Sequence, residues 1–157
     1  MRMRLPCSVL VGILALAFSQ TLQAQQTSTT GLQAFWPDRF LAMPQNDQVR
    51  LEDLKIDPVK KHGDSLSQAR GTFSAKNLTD RELLVSVSIM LIGGKKGETP
   101  SMIAAGTAIV HNSDDFVFGL RTLKPKEAVT CTIFLGYADI SKALLYEARV
   151  WVIEKPK

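Results

Sequence analysis

Apolar and polar residues alternate along most of the chain after residue 48, and a period of two is typical of half-buried β-strands. The clearest alternation runs over residues 68–76, and a change of phase near Glu52 and Asp53 indicates a β-bulge in the first strand. Seven strands are predicted, within residues 49–56, 68–76, 83–91, 102–110, 116–120, 129–135 and 146–152. Turn-forming residues separate these strands, and helix-length apolar patterns are missing. We therefore expect an all-β domain, a seven-stranded antiparallel β-sandwich, over residues 49–157.

The stretch between residues 25 and 48 has a different pattern. Residues 25–30 are polar and low in complexity, which predicts a flexible segment. Residues 31–48 hold large apolar side chains broken by Pro37 and Pro44, so a long helix is excluded. The pattern leaves room for one helical turn at 38–43 with Asp38 as its N-cap, and for another at 139–144.

The first 24 residues resemble a secretory leader in all three of its parts. Arg2 and Arg4 precede an almost continuous apolar run over residues 5–18, and the small residue Ala24 follows. This arrangement predicts a signal peptide at 1–24, cleaved after Ala24. The alternative is an uncleaved anchor, but the apolar run is shorter than the about 20 residues that a spanning helix needs.

Charge and cysteine content narrow the class of protein. The net charge is +4, of which the two leader arginines contribute two, so the mature domain is too weakly basic to indicate nucleic-acid binding. Cleavage would leave Cys131 as the one cysteine, so the fold must stand without an internal disulfide. Its place in an apolar strand predicts a buried thiol that packs as a small hydrophobe.

The sequence offers little catalytic or metal-binding chemistry. The histidines, His62 and His111, are far apart, and a turn with His111, Asp114 and Asp115 has fewer oxygens than calcium usually requires. A solvated hairpin is the preferred interpretation of that turn. No Gly-x-Ser-x-Gly nucleophile motif occurs, and we expect no catalytic residue, no metal and no cofactor.

The aromatic part of residues 31–48 allows two interpretations. It could fold back over an open edge or end of the sandwich, or it could dock on another protein, because aromatic residues, Met and Arg are enriched in interface cores. The second interpretation makes four residues candidate partner contacts: Phe35, Trp36, Phe40 and Met43.

Lysines concentrate in alternate predicted turns. In a seven-stranded sandwich alternate turns fall at the same end, so the first, third and fifth turns would form one basic pole. Its residues would be Lys60, Lys61, Lys95, Lys96, Lys124 and Lys126. The turns at the other end are mainly acidic. Such a pole would be attracted to an anionic membrane surface, whereas the competing view is that lysines are simply common in turns.

Three stretches carry a family resemblance: residues 71–79 with Asn77 and Thr79, residues 85–89, and the turn at 123–127. Over about residues 68–135 they resemble the FxLYD-type immunoglobulin-like modules of bacterial envelopes, although Lys126 stands where the family has a turn glycine. The resemblance implies an immunoglobulin-like, non-enzymatic sandwich outside the cytoplasm and no particular ligand.

Together these patterns predict a non-catalytic exported protein that serves as an accessory or interaction subunit of a membrane-associated envelope assembly. Its expected partner is another envelope protein or membrane complex. The alternative is a periplasmic ligand-binding module, for instance for carbohydrate, which would need exposed aromatic side chains on a sheet face or loop.

Overall fold

The computed structural model describes residues 26–59, 68–94, 97–110, 122–137 and 139–155. Within them the chain is all-β. Its strands are β1 (Gln26–Thr29), β2 (Gln33–Ala34), β3 (Val49–Val59), β4 (Gln68–Asn77), β5 (Leu83–Gly93), β6 (Ser101–Val110), β7 (Ala128–Tyr137) and β8 (Ala143–Glu154). The expected leader, the predicted strand at 116–120 and the turn with His111 lie outside the described residues.

The strands form two antiparallel sheets. The larger sheet has the order β1-β8-β5-β6, with β2 also paired to β8, and the smaller has the order β3-β4-β7. β5 alternates without interruption between buried and half-buried residues, because one of its faces lies on the core and the other is solvated. The two inner faces enclose one apolar core, so the expected sandwich-like all-β arrangement is confirmed.

Six of the predicted strands correspond to β3 through β8, and the predicted bulge is present. The register of β3 against β4 shifts between Glu52 and Lys55, and Asp53 there has a φ of +59°. The second expected helical turn is a 3₁₀ turn at Ile140–Lys142, where the side chain of Asp139 accepts a hydrogen bond from the backbone N–H of Ser141.

Two expectations about the N-terminal segment are wrong. Residues 26–29 are not a flexible stretch but strand β1, which pairs with β8 from Gln26 opposite Val152 to Thr29 opposite Arg149. An edge strand can be polar, because its hydrogen bonds to the neighbouring strand do not depend on an apolar side-chain pattern. Residues 38–43 form no helix; Leu41 makes an isolated bridge to Leu54 instead.

The gap between the two sheets has two open sides, and each is closed in a different way. On one side β6 approaches β7 so closely that a Cβ added at Gly106 would lie 2.2 Å from the carbonyl oxygen of Phe134. Only glycine fits such an approach. On the other side the gap is covered by residues 35–48, which we call the strap. The strap supplies Phe35, Leu41 and Met43 to the core.

The strand register defines two ends of the sandwich. At the Gly93 end, Gly93 lies opposite Ser101 and Ala143 in the larger sheet, and Gln68 lies opposite Val59 and Tyr137 in the smaller. At the other end, which we call the Asn77 end, Asn77 lies opposite Val49 and Leu83 lies opposite Glu154.

The predicted single pole of six lysines is wrong for Lys124 and Lys126. Lys126 Nζ donates to the carbonyl of Leu78 at 2.8 Å and lies 3.2 Å from Asp80, which places this turn at the Asn77 end among acidic residues. The chain leaves β6 at Val110 and is back at the same end at Thr122, so the expected alternation of turns fails there. Lys60, Lys61, Lys95 and Lys96 lie outside the described residues, and attraction to an anionic surface stays a prediction for them alone.

Candidate interaction loop

The strap is fixed to both sheets by backbone and side-chain hydrogen bonds. The N–H of Phe35 donates to the carbonyl of Leu144 at 2.9 Å, and the N–H of Leu41 donates to the carbonyl of Leu54 at 2.7 Å. The hydroxyl of buried Tyr146 donates to the carbonyl of Ala42 at 3.1 Å. Burial raises the pKa of this phenol, so Tyr146 stays a neutral donor at physiological pH.

Between the anchors Phe35 and Leu41, residues 36–40 form an exposed loop, which we call the interaction loop. Trp36 is 57% exposed and Phe40 is 69% exposed. A turn closed by a 3.3 Å hydrogen bond from the N–H of Arg39 to the carbonyl of Trp36 sets the loop's shape. The guanidinium carbon of Arg39 lies 5.6 Å from the centre of the Trp36 ring, within the range of a cation–π contact.

The four predicted partner contacts separate into two groups. Phe35 and Met43 are only 5% and 6% exposed, so their assignment as partner contacts is corrected to a place in the core. Trp36 and Phe40 point into solvent and remain candidates. At the sequence level, covering of the sandwich and docking on a partner were alternatives for the whole segment. In the structure the strap has buried side chains that cover the core and exposed ones that could contact a partner. The apolar residues of the strap are irregularly spaced, so the sequence pattern does not distinguish the buried residues from the exposed ones.

Further large apolar side chains are exposed at the Gly93 end, near where the strap begins. They include Met102 at the start of β6, Tyr137 at the end of β7 and Leu144 near the start of β8. Leu144 is the residue whose carbonyl accepts from Phe35. Leu144 therefore adds an exposed apolar side chain beside the start of the strap.

A second surface lies on the outer face of the larger sheet and was missed at the sequence level. Glu147, Arg149 and Trp151 alternate along β8 and lie on the side opposite the buried residues. Arg149 Nε donates to Glu147, and this hydrogen bond lowers the pKa of the carboxyl group and raises that of the guanidinium. The period-two pattern of β8 was the signal that could have revealed that these three residues share a face.

The described part of the chain shows neither a metal-binding cluster nor a membrane-spanning helix. It contains no group of three His, Cys, Asp or Glu side chains placed to hold a metal ion. No helix in these ranges is long and apolar enough to cross a bilayer. Cys131 is buried in β7, as its strand position predicted.

No family model matches this chain, and no match was found to a curated protein or to a solved structure.

Proposed function

We propose that this chain is a non-catalytic accessory domain of the cell envelope that binds a protein partner through its interaction loop. The observation that carries the proposal is the exposure of Trp36 and Phe40 between two buried anchors. Exposed aromatic rings cost solvation free energy, and Trp and Arg are the side chains most enriched at the centres of protein interfaces.

The loop is also preorganised for binding. Its ends are held by the hydrogen bonds of Phe35 and Leu41, and the guanidinium of Arg39 rests over the Trp36 ring. A loop that is already ordered loses less conformational entropy when it binds, so more of the contact energy appears as affinity. Residues 36–40 therefore suit a partner with an apolar pocket and an acidic rim.

The topology supports an immunoglobulin-like module. The orders β3-β4-β7 and β6-β5-β8 match the A-B-E and C′-C-F arrangements of immunoglobulin sheets, and β1 occupies the position of the last strand, G. This topology supports the proposed resemblance to the FxLYD-type envelope modules. In that family's turn the glycine position is held by Lys126, which has a φ of +60° here, a conformation that favours glycine.

Export through a cleaved leader is part of the same proposal. Strand β1 starts at Gln26, two residues after the proposed cleavage site, so the mature chain would enter the sheet almost at once. Mass spectrometry of the mature protein should give a chain that starts at or next to Gln25. An intact Met1 would favour the anchored alternative instead.

The binding proposal is tested by retention of a partner from detergent-solubilised envelope fractions of the source cells. The protein is immobilised as wild type, as the double variant Trp36→Ala with Phe40→Ala, and as the control Leu32→Ala with Ile109→Ala. The control removes two exposed apolar side chains outside the loop. We expect wild type and control to retain the same polypeptide in near-stoichiometric amount and the loop variant to lose at least nine-tenths of it.

Thermal unfolding of all three proteins separates binding from folding. If the loop variant melts like wild type but still retains the polypeptide, the proposal is wrong. If the loop variant unfolds, Trp36 and Phe40 belong to the covering role of the strap, and the proposal is likewise overturned.

A further inference from the structure

We infer that the outer face of the larger sheet is a second binding site, independent of the interaction loop, and that its ligand is an uncharged polysaccharide segment. The site is a shallow depression of about 250 Å³ over β8, β5 and β6. Its chemistry comes from Trp151, Arg149, Glu147, Ser88 and Thr107, all of which line it.

The sheet register explains why a depression forms there. Ser86 lies beside Trp151, and Ser88 lies between Arg149 on one side and Thr107 on the other. At these two positions the central strand β5 presents small side chains on its outer face, next to the long side chains of β8, and Met90 follows them opposite Glu147. The result is a mainly apolar trough in which the hydroxyls of Ser88 and Thr107 are the small polar groups and Trp151 is part of the lining.

The ion pair on β8 adds polar groups to the site without giving it a net charge. Glu147 is largely buried as a side chain and accepts hydrogen bonds from Arg149 Nε and from the hydroxyl of Thr29, the latter at 3.2 Å. Among the described residues, no hydrogen bond reaches the terminal Nη groups of Arg149, and its side chain is half exposed. Those groups carry four N–H donors that a ligand can use.

These features together fit a sugar chain better than other ligands. The C–H face of a pyranose ring is attracted to the negative π-face of an indole, and its hydroxyls can exchange hydrogen bonds with Ser88, Thr107 and the Arg149 donors. Because Glu147 neutralises Arg149, the site favours an uncharged glycan over an acidic one. The depression is smaller and shallower than the about 300–1,000 Å³ typical of enclosed small-molecule pockets, which suits a chain lying along the surface.

The inference is tested by fluorescence titration in a Trp36→Phe background, in which Trp151 is the only tryptophan. The probes are cellohexaose and hexa-N-acetylchitohexaose as neutral glycans and a polygalacturonate oligomer as the acidic comparison. We expect a saturable change in Trp151 emission with at least one neutral glycan and an affinity at least tenfold weaker for the acidic one. If neither neutral glycan binds below about 10 mM, a Kd that corresponds to under 3 kcal/mol of binding free energy, the inference is wrong.

A second variant keeps the tryptophan and blocks the trough. Ser88→Val replaces the hydroxyl by a methyl group and adds a second methyl, at a position where β-branched residues fit a strand, so the fold is expected to remain intact. It should weaken glycan binding at least tenfold and leave partner retention by the interaction loop unchanged. Unchanged glycan binding by this variant would place the sugar elsewhere and overturn the inference, whatever the fate of the proposed protein partner.

Discussion

The side-chain amide of Asn77 donates to the main-chain carbonyl of Leu123 over 3.1 Å, which links the end of β4 to a turn 46 residues further along the chain. The same amide donates to the carbonyls of Arg81 and Lys124, and its oxygen accepts from the N–H and the hydroxyl of Thr79. Asn77 is fully buried, and its hydrogen bond to the carbonyl of Leu123 is buried with it, so this bond is shielded from competition by water.

Replacing Asn77 by alanine should therefore destabilise the domain more than the small size of the removed amide group suggests. The variant Asn77→Ala removes five hydrogen bonds made by one buried side chain, and we expect a loss of about 3 kcal/mol in the free energy of unfolding. Asn46→Ala is the matched control, because Asn46 also binds backbone N–H groups, those of Gln48 and Val49, but is only half buried. Chemical denaturation measures both, and equal losses would contradict the central role given to Asn77.

The bulge in β3 makes a prediction about backbone conformation. Asp53 has a positive φ, which β-branched residues adopt only with strain, so Asp53→Val should cost about 1–2 kcal/mol. Asp53→Gly should be close to neutral or slightly stabilising. The control is Glu52→Val, which places the same side chain at the preceding exposed strand position. If valine has the same effect at both positions, the strain at Asp53 is not real.

Because Cys131 is buried, its thiol is predicted to react slowly with thiol reagents. The residue is 8% exposed and lies beside Phe73 in the neighbouring strand, and thiol reagents need access to the thiolate. We expect a disulfide reagent to modify Cys131 only when denaturant is present. The variant Thr132→Cys, in which an exposed neighbour is changed, should add one thiol that reacts at once. Rapid labelling of native wild type would contradict the placement of Cys131.

Acidic pH should weaken two surface ion pairs, one within β8 and one between Lys155, just after β8, and Glu82, just before β5. Hydrogen bonding to Lys155 lowers the pKa of Glu82, and hydrogen bonding to Arg149 lowers that of Glu147. A carboxyl group whose pKa is lower in the folded state stabilises the fold above its unfolded pKa of about 4.3, and this contribution disappears as the pH falls through the folded pKa.

The expected result is a melting temperature that decreases between about pH 5 and pH 3 and a smaller decrease in Glu82→Gln with Glu147→Gln. The effect is small because both groups are near water. The control is Glu98→Gln, an exposed acid outside both pairs. A double variant with the full wild-type decrease would show that other carboxyl groups are responsible.

The strands that carry the core could be predicted from the sequence because their inward residues alternate, as in β4 and β5, and alternation is a local signal. Strand β1 could not be predicted from the sequence, since its residues are polar and its pairing is decided by β8, more than 100 residues away. Phe35 is buried and Trp36 is exposed although they are neighbours in sequence. The position of the strap on the two sheets decides which side chain is covered, and the local sequence does not.

The lysine pole failed for a related reason. Its prediction depended on counting every crossing between turns, whereas Val110 and Thr122 lie at the same end of the sandwich, and Lys126 in the turn that follows lies there too. The face with Arg149 and Trp151 was within reach of the sequence, because its spacing of two along β8 is the same signal that located the strand.

The most direct test of the central claim is photo-crosslinking from inside the interaction loop in intact source cells. Asp38, which is exposed between Trp36 and Phe40, is replaced by a benzophenone amino acid, and Thr132 on the outer face of β7 receives the same replacement as a control. The account predicts one discrete protein adduct from position 38 that is absent from position 132 and is lost when Phe40→Ala is added. No adduct from position 38, or the same adducts from both positions, would contradict it.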